Sequence, residues 1–572
     1  MPLDVMRSCL ILLAVSADAL QRHAGHHQRN TIDDHDQPPP PQRQHVAPPT
    51  TVTIDAGVPA LGSAVSSLML GVSQGPHIQS SWLSHEFGHG KYDGDWSAGM
   101  ARVGVPSIRT HGMGCVDLDQ LWKPCSGGPG TGCNFAGFDA WDDVNYNWTQ
   151  SDACLKAVYE NPLLPDLNAT IRLGHSRVRE MDFPSFCQGP DDVDVFANVT
   201  AAIIHRYTVV KGYAQRDFSV WNEPTNKLYH RDDDNDATAT DGDDDAPTPF
   251  YCRSPGTYAS MYAAIWSRVK PMFGDRVNIG VSLDRSNYSK AVVKYLSGNG
   301  SSFDFIDTHF YYNTPSKMPW SVHKTTSSGT GGVSLETMLH DAGFDSKTRL
   351  QIGEWSRQIP WYAQDIPGAA YVACGLAYLN EMTLANSGGE HNVGSAHIFS
   401  VQKVWDGHAN NASNVTDLNA ATIFNWWARM VGATHLATTG ARQPYPMGTD
   451  PTNLDEMCVL AARHGNDEIL AVFSHYYAPS KTIRPTIGPC FALTVEVSGI
   501  TWPEWTWTQY SNDQMGVLPA VAHGNASGAS ASLALCARSN SFSTLRIAPA
   551  AVSGRQEPEG ARREKYDRYD SL

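Results

Sequence analysis

The sequence predicts an α/β protein, a (β/α)8 TIM barrel with a C-terminal β-sandwich domain, and three observations carry that prediction. Between residue 67 and about residue 400, eight short apolar segments alternate with stretches of helical period. The strand candidates are 68–72, 107–111, 170–174, 217–221, 277–281, 305–309, 349–353 and 396–400. Between them, Phe196, Val199, Ile203 and Tyr207 recur at gaps of three and four, as do Tyr258, Met261, Ile265 and Val269. Such stripes face a core, and strand–helix alternation repeated eight times reads as a parallel barrel. Past about residue 436 the texture changes to short alternating strands at 457–462, 469–474, 491–497, 506–510, 532–537 and 542–547. Gly, Pro, Asn and Asp separate them, the mark of a β-sandwich. Finally, 572 residues are too many for one small domain and suit a large barrel plus a second unit.

The elements follow in order. Residues 1–19 read as a signal peptide: Arg7 supplies a positive start, 9–15 is a short apolar run, and Ala17-Asp18-Ala19 fits a small-x-small cleavage site. That run is too short to span a bilayer. Residues 20–50, rich in His, Pro and Gln, read as a disordered linker. Its His23, His26 and His27 belong to a solvated tail rather than a metal site. Residues 51–66 are expected to add an N-terminal strand to the sandwich, 67–436 to form the catalytic barrel, 437–550 the sandwich, and 551–572 a charged flexible tail. The stretch 231–246 resembles a calcium loop only superficially, because Ala237 stands where the turn glycine should be and no glutamate closes it. A solvated acidic insertion is the expectation.

Composition narrows the function. Lys and Arg number 42 against 58 Asp and Glu, a formal charge of −16, and no basic cluster suggests a nucleic-acid partner. Glycosylation sequons stand at Asn147, Asn168, Asn198, Asn287, Asn299, Asn411, Asn414 and Asn525. Apart from Cys9, ten cysteines remain, an even number that favours disulfides in an oxidising compartment. None forms a CxxC pair, so zinc is not expected. The reading is a secreted, extracellular glycoprotein without cofactor or metal.

The chemistry sits at two strand ends. In Phe218-Ser219-Val220-Trp221-Asn222-Glu223-Pro224 an apolar strand runs into Asn-Glu-Pro. Pro224 has no N–H and should end the strand. The residue before a proline is pushed toward extended geometry, so Glu223 is expected extended. In Leu350-Gln351-Ile352-Gly353-Glu354-Trp355 a second strand ends in glutamate. On the strand count, Glu223 ends the fourth strand and Glu354 the seventh, so a closed barrel points both into one mouth. Two facing carboxylates are what glycoside hydrolysis requires, one protonated toward the leaving oxygen and one ionised toward the anomeric carbon.

Trp221-Asn222-Glu223-Pro224 and Gly353-Glu354-Trp355, in this order, resemble the acid/base and nucleophile motifs of clan A retaining glycosidases. Within the clan the chain is most similar to glycoside hydrolase family 39, which includes β-xylosidases and α-L-iduronidases. Ile108-Arg109-Thr110-His111-Gly112 resembles that family's strand-two motif and Phe305-Ile306-Asp307-Thr308-His309 its strand-six motif. The resemblance implies that Glu223 is the acid/base and Glu354 the nucleophile. It implies further that Asn222 bonds the sugar 2-hydroxyl, that Arg109 sits below Glu354 and keeps it ionised, and that His111 and His309 line the glycone pocket. Tyr311 is a candidate for orienting the nucleophile, and Trp405, past strand eight, for a sugar-stacking platform. For these two, rim or core packing is the alternative.

The acidic insertion lies between the fourth strand and its helix, hence at the catalytic face. A negative rim repels anionic chains. The expected activity is therefore that of an exo-acting β-xylosidase-like enzyme on neutral glycosides, with α-L-iduronidase-like or endo-glycanase action as alternatives. A non-catalytic carbohydrate-binding protein is the alternative from another class, and the presence of both carboxylates argues against it.

Overall fold

The computed structural model describes residues 51–60, 64–78, 94–110, 115–125, 134–174, 190–224, 254–284, 286–312, 315–323, 334–357, 366–383, 393–399, 401, 404–406, 416–417, 419–440, 455–477, 487–488, 490–512 and 518–550. The readings of 1–19, 20–50, 231–246 and 551–572 lie outside them, as do the sequons at Asn411 and Asn414.

Strand β1 (Thr51–Pro59) comes first. The barrel follows as β2 (Gly71–Ser73), β3 (Ser107–Thr110), β4 (Asn168–Leu173), β5 (Asp217–Val220), β6 (Asn278–Ser282), β7 (Phe305–Tyr311), β8 (Leu350–Ser356) and β9 (Val393–Ile398). These eight close on themselves in chain order, and every neighbouring pair is parallel. Between them stand α1 (Ser97–Val103), α2 (Trp148–Tyr159), α3 (Val193–His205), α4 (Pro255–Phe273), α5 (Asn287–Gly298), α6 (Lys317–His323), α7 (Leu335–Asp341) and α8 (Ile366–Glu381), with α9 (Asn419–Met430) after β9. The stripes Phe196–Val199–Ile203–Tyr207 and Tyr258–Met261–Ile265–Val269 are buried. Asp192 caps α3 by accepting from Val195 N–H, and Ser254 caps α4 with Pro255 at its first position.

One strand starts later than the sequence suggests. Residues Ser67–Leu70 form a single 3-10 turn, because Ser66 Oγ accepts from Leu68 N–H at 3.2 Å and turns the chain before β2 begins. Met69 and Leu70 are buried from that turn rather than from a strand.

Barrels of this kind usually fill with Val, Ile and Leu. Here Ser73, Arg109, Thr170, Ser219, Asp307, Gln351 and His397 are all buried on barrel strands. Hydrogen bonding makes most of this tolerable, although Ser73 Oγ has no such partner. Thr170 Oγ1 donates to Gln351 Oε1 at 2.8 Å, and Asp217 accepts from Asn278, Arg349 and Gln351 at 2.7, 2.7 and 2.8 Å.

The second sheet comprises β1 and β10 (Thr434–Thr439), β11 (Asp455–His464), β12 (Glu468–Tyr477), β13 (Cys490–Ser498), β14 (Glu504–Ser511), β15 (Ala520–Ser527), β16 (Ala531–Arg538) and β17 (Ser541–Pro549). Its order is β15-β14-β17-β12-β11-β10-β1-β13-β16. β1 pairs antiparallel with β10 and parallel with β13. The expected division after residue 436 falls inside β10. Val52, Ile54, Leu493, Val495, Trp505, Leu545 and Ile547 form a core separate from that of the barrel.

Helix α8 joins the two units. Every residue from Pro367 to Asn380 is buried, as expected of a helix covered on all sides. Its Cys374 is disulfide-bonded to Cys458 of β11. Two more bridges, Cys115–Cys154 and Cys490–Cys536, are present among the described residues. No described helix is long and apolar enough to cross a membrane.

Candidate active site

The end of β5 is where the chain departs from the sequence-based expectation. Trp221 and Glu223 both have positive φ, 68° and 43°. Glu223 is thus not extended, despite the following Pro224. Left-handed backbone costs a non-glycine residue about 1–2 kcal/mol, and packing holds it in place. Trp221 N–H still donates to Leu173 C=O at 2.8 Å, while its indole lies over Gly174, where any Cβ would collide with the ring. Tyr258 of α4 fixes the strand end from behind. Its phenol donates to Val220 C=O at 2.9 Å and accepts from Ser282 N–H at 3.0 Å. Asn222 is thereby turned inward and buried, and Glu223 keeps partial access to solvent.

Glu354 reaches the same space through a β-bulge. Ile352 pairs with Thr308 but Glu354 pairs with His309, so Gly353 is the extra residue on β8. Strict alternation would put Gln351 and Gly353 inside and Glu354 outside. The bulge lets Gly353 and Glu354 both face in. Gly353 must lack a Cβ, because one would overlap Asp307 Oδ1 and lie 2.7 Å from Arg109 Nε.

Arg109 is the hub. Fully buried, it donates through Nε to Asp307 Oδ2 at 3.0 Å, through Nη1 to Glu354 Oε1 at 2.9 Å, and through Nη2 to Asn222 Oδ1 at 2.9 Å. Burial disfavours its charge, but Asp307 and then Glu354 outweigh that and hold it still more firmly protonated than usual. Ser219 donates to Asp307 Oδ2 as well.

β7 supplies a column at every second residue: Asp307, His309 and Tyr311. His309 Nδ1 lies 2.6 Å from Glu223 Oε1 and 3.6 Å from Glu354 Oε2. Burial and Arg109 push the imidazole toward its neutral form, yet the Glu354 and Glu223 carboxylates prevail and raise its proton affinity. The Tyr311 hydroxyl donates to Glu354 Oε2. Burial first, then the Glu354 and Glu223 charges, push that phenol well above its ordinary range, so it remains a donor.

Glu223, His309 and Glu354 each bring a donor atom within 4.8 Å of the other two. These are the donor types of a metal site, but Glu354 already has a cationic partner in Arg109 and Glu223 a hydrogen-bond partner in His309. We read the trio as an acid–base cluster.

Arg109, Asn222, Glu223, His309, Tyr311 and Glu354 thus converge. His111 lies outside the described residues. Trp405 is a correction: its ring is fully buried, packed on Gly99 and edge-on to Phe424 at 6.0 Å, so neither face is open to a sugar. Sequence reasoning passed over Asp307, Ser219 and Tyr258 as members of the site. The signal for Asp307 was present, an acid amid the apolar strand Phe305-Ile306-Asp307. Tyr258 carried none, since it sits in an ordinary helical stripe.

The architecture is a (β/α)8 barrel with an attached β-sandwich, and solved structures share that fold. A family 39 glycoside hydrolase from Xanthomonas axonopodis pv. citri matches with a TM-score of 0.57 and 13% identity, over 89% of this chain and 100% of that one. A glucosidase from Croceicoccus marinus gives 0.55 and 16%, over 88% and 99%. A monomeric β-xylosidase from Caulobacter crescentus gives 0.54 and 13%, over 88% and 100%. No family model matches the sequence, and no curated protein matches it. At such identities the likeness concerns the fold.

Proposed function

We propose that the chain is a retaining glycoside hydrolase of the family 39 type, acting by double displacement with Glu354 as nucleophile and Glu223 as acid/base. The observation that carries the reading is the closeness of the two carboxylates, whose oxygens lie within 4.8 Å. Retaining enzymes hold the pair about 5–5.5 Å apart, whereas inverting enzymes leave about 6.5–9.5 Å for a water.

Glu354 attacks the anomeric carbon while Glu223 protonates the departing oxygen. Arg109 and Tyr311 each bond one Glu354 oxygen and orient it. Esterification removes the Glu354 charge, and Glu223, now ionised, draws a proton from the water that releases the sugar. Arg109 occupies Asn222 Oδ1, which leaves the amide NH2 to donate toward a sugar hydroxyl. That bond gains strength as positive charge develops on the ring.

The substrate we propose is a neutral glycoside, cleaved in exo fashion as by a β-xylosidase. Supporting this, the inner cations Arg109 and Arg172 are each bonded to a carboxylate of the protein itself. The acidic stretch 231–246 points the same way. The reading takes the protein to be secreted, with the disulfides among the described residues in support.

The test is a panel of aryl glycosides. Glu354→Gln should abolish turnover of whichever is cleaved, and azide should partly rescue Glu223→Ala. Full activity in both variants would refute the assignment. Binding without cleavage of any member would favour a carbohydrate-binding protein, and cleavage of uronides alone would reverse the choice of substrate.

A further inference from the structure

The reaction assigned above uses Arg109 but gives no role to Asp307, a carboxylate with no exposure to solvent. Its two oxygens are in different situations. Oδ2 is crowded, accepting from Arg109 and from Ser219. Oδ1 has no hydrogen-bond partner. The Nε2 of His309 is also buried without a partner, and the two orphan atoms face each other across 4.0 Å. Unmade bonds of this kind are rare in a buried polar cluster. The gap is too long for a direct hydrogen bond and short enough to become one with a small shift of either side chain.

The order of contacts is then a chain. Glu223 Oε1 meets His309 Nδ1, and His309 Nε2 faces Asp307 Oδ1. An imidazole that donates from both nitrogens must be an imidazolium. The other charged or titratable groups facing His309 are Glu354 of β8 at 3.6 Å, Arg109 of β3 and Tyr311 of β7. His397 of β9, coupled electrostatically to Asp307 and Arg109, is held neutral by burial, its pKa lowered to about 4.

We propose that Asp307 is the positioning residue of this site: Oδ2 fixes the guanidinium of Arg109, and Oδ1 receives Nε2–H of His309 and keeps that histidine an imidazolium against Glu223. The proposal rests on the retaining reading for its catalytic meaning, but not for its test.

Charge balance gives the arrangement its purpose. Before the sugar arrives, Arg109 and His309 carry two positive charges, Asp307 and Glu354 two negative ones, and Glu223 is neutral. In the glycosyl-enzyme Glu354 is an uncharged ester, and Glu223 has given its proton to the leaving oxygen and become an anion. The sum is zero in both states, provided that His309 keeps its proton. A buried site that remains neutral across the step avoids the penalty of an uncompensated charge. Without Asp307, both states would carry one positive charge unless His309 gave up its proton.

The experiment is a pH titration of the full-length protein carrying 15N-histidine, with His309 identified as the resonance missing from His309→Gln. In the wild type, His309 should show both nitrogens protonated and should titrate above the ordinary value of about 6.5. In Asp307→Asn it should titrate at least one pH unit lower. The alkaline limb of the pH–rate profile should move down with it. A wild-type His309 that titrates at or below about 6.5 would overturn the proposal, whether or not Asp307→Asn folds. So would an unchanged His309 in a folded Asp307→Asn. None of the titrations needs turnover, so an inactive protein would refute the hydrolase reading while leaving this one testable.

Discussion

Gly353 and Asp307 define each other. The space a Cβ on residue 353 would fill is occupied by Asp307 Oδ1, with Arg109 Nε 2.7 Å away on the same side. Gly353→Ala should therefore push Asp307 and Arg109 from their positions and disturb Glu354 through them. Overpacking of this kind costs about 1–3 kcal/mol. Urea denaturation should register that loss, and kcat should fall at least 100-fold while the far-ultraviolet CD spectrum is kept.

Tyr311 bonds Glu354, the proposed nucleophile, without belonging to the proposed catalytic pair. Removing one hydrogen bond to a charged group costs about 1.5–3 kcal/mol. Tyr311→Phe should accordingly lower kcat by roughly 10- to 150-fold. Steady-state kinetics should place the loss mainly in kcat rather than KM.

His397 makes an acid-sensitive point in the barrel. Its Nδ1–H donates to Ile352 C=O at 3.3 Å, and Nε2 accepts from Ser107 Oγ at 3.1 Å. Burial lowers its pKa to about 4, against about 6.5 in an unfolded chain. The unfolded state therefore binds more protons, and stability falls as pH drops from about 6.5 to about 4. The whole effect is about 3 kcal/mol. Denaturation at pH 7 and pH 4.5 should show a smaller pH-dependent loss for His397→Gln than for the wild type.

The Cys374–Cys458 bridge ties the barrel to the second sheet across 84 residues of chain. In the chain-entropy account a closed loop of that size is worth about 4–5 kcal/mol. Replacing both cysteines with serine should lower the midpoint of thermal unfolding and let the two units unfold in separate calorimetric transitions.

The sequence and the fold agree best where periodicity is strong. The two helical stripes are buried as expected because a helix can hide only one face. The pair Glu223 and Glu354 was legible because each ends an apolar strand and a closed barrel gathers strand ends. Less legible was how each glutamate gets there. The general preference before proline points to an extended Glu223, but packing of Trp221 on Gly174 overrides it. Simple alternation puts Glu354 on the wrong face, and a one-residue bulge corrects it. Trp405 misled because an aromatic near a strand end looks the same in sequence whether it meets a sugar or Phe424. Asp307 could have been suspected from charge in an apolar strand, though its two oxygens could not have been told apart.

The closeness of Glu223 and Glu354, within 4.8 Å, is the central claim, and stereochemistry tests it most directly. Proton NMR during the first minutes of hydrolysis of a cleaved aryl glycoside identifies the anomer released before mutarotation. The account predicts the anomer with the configuration of the substrate, and release of the opposite anomer would contradict it.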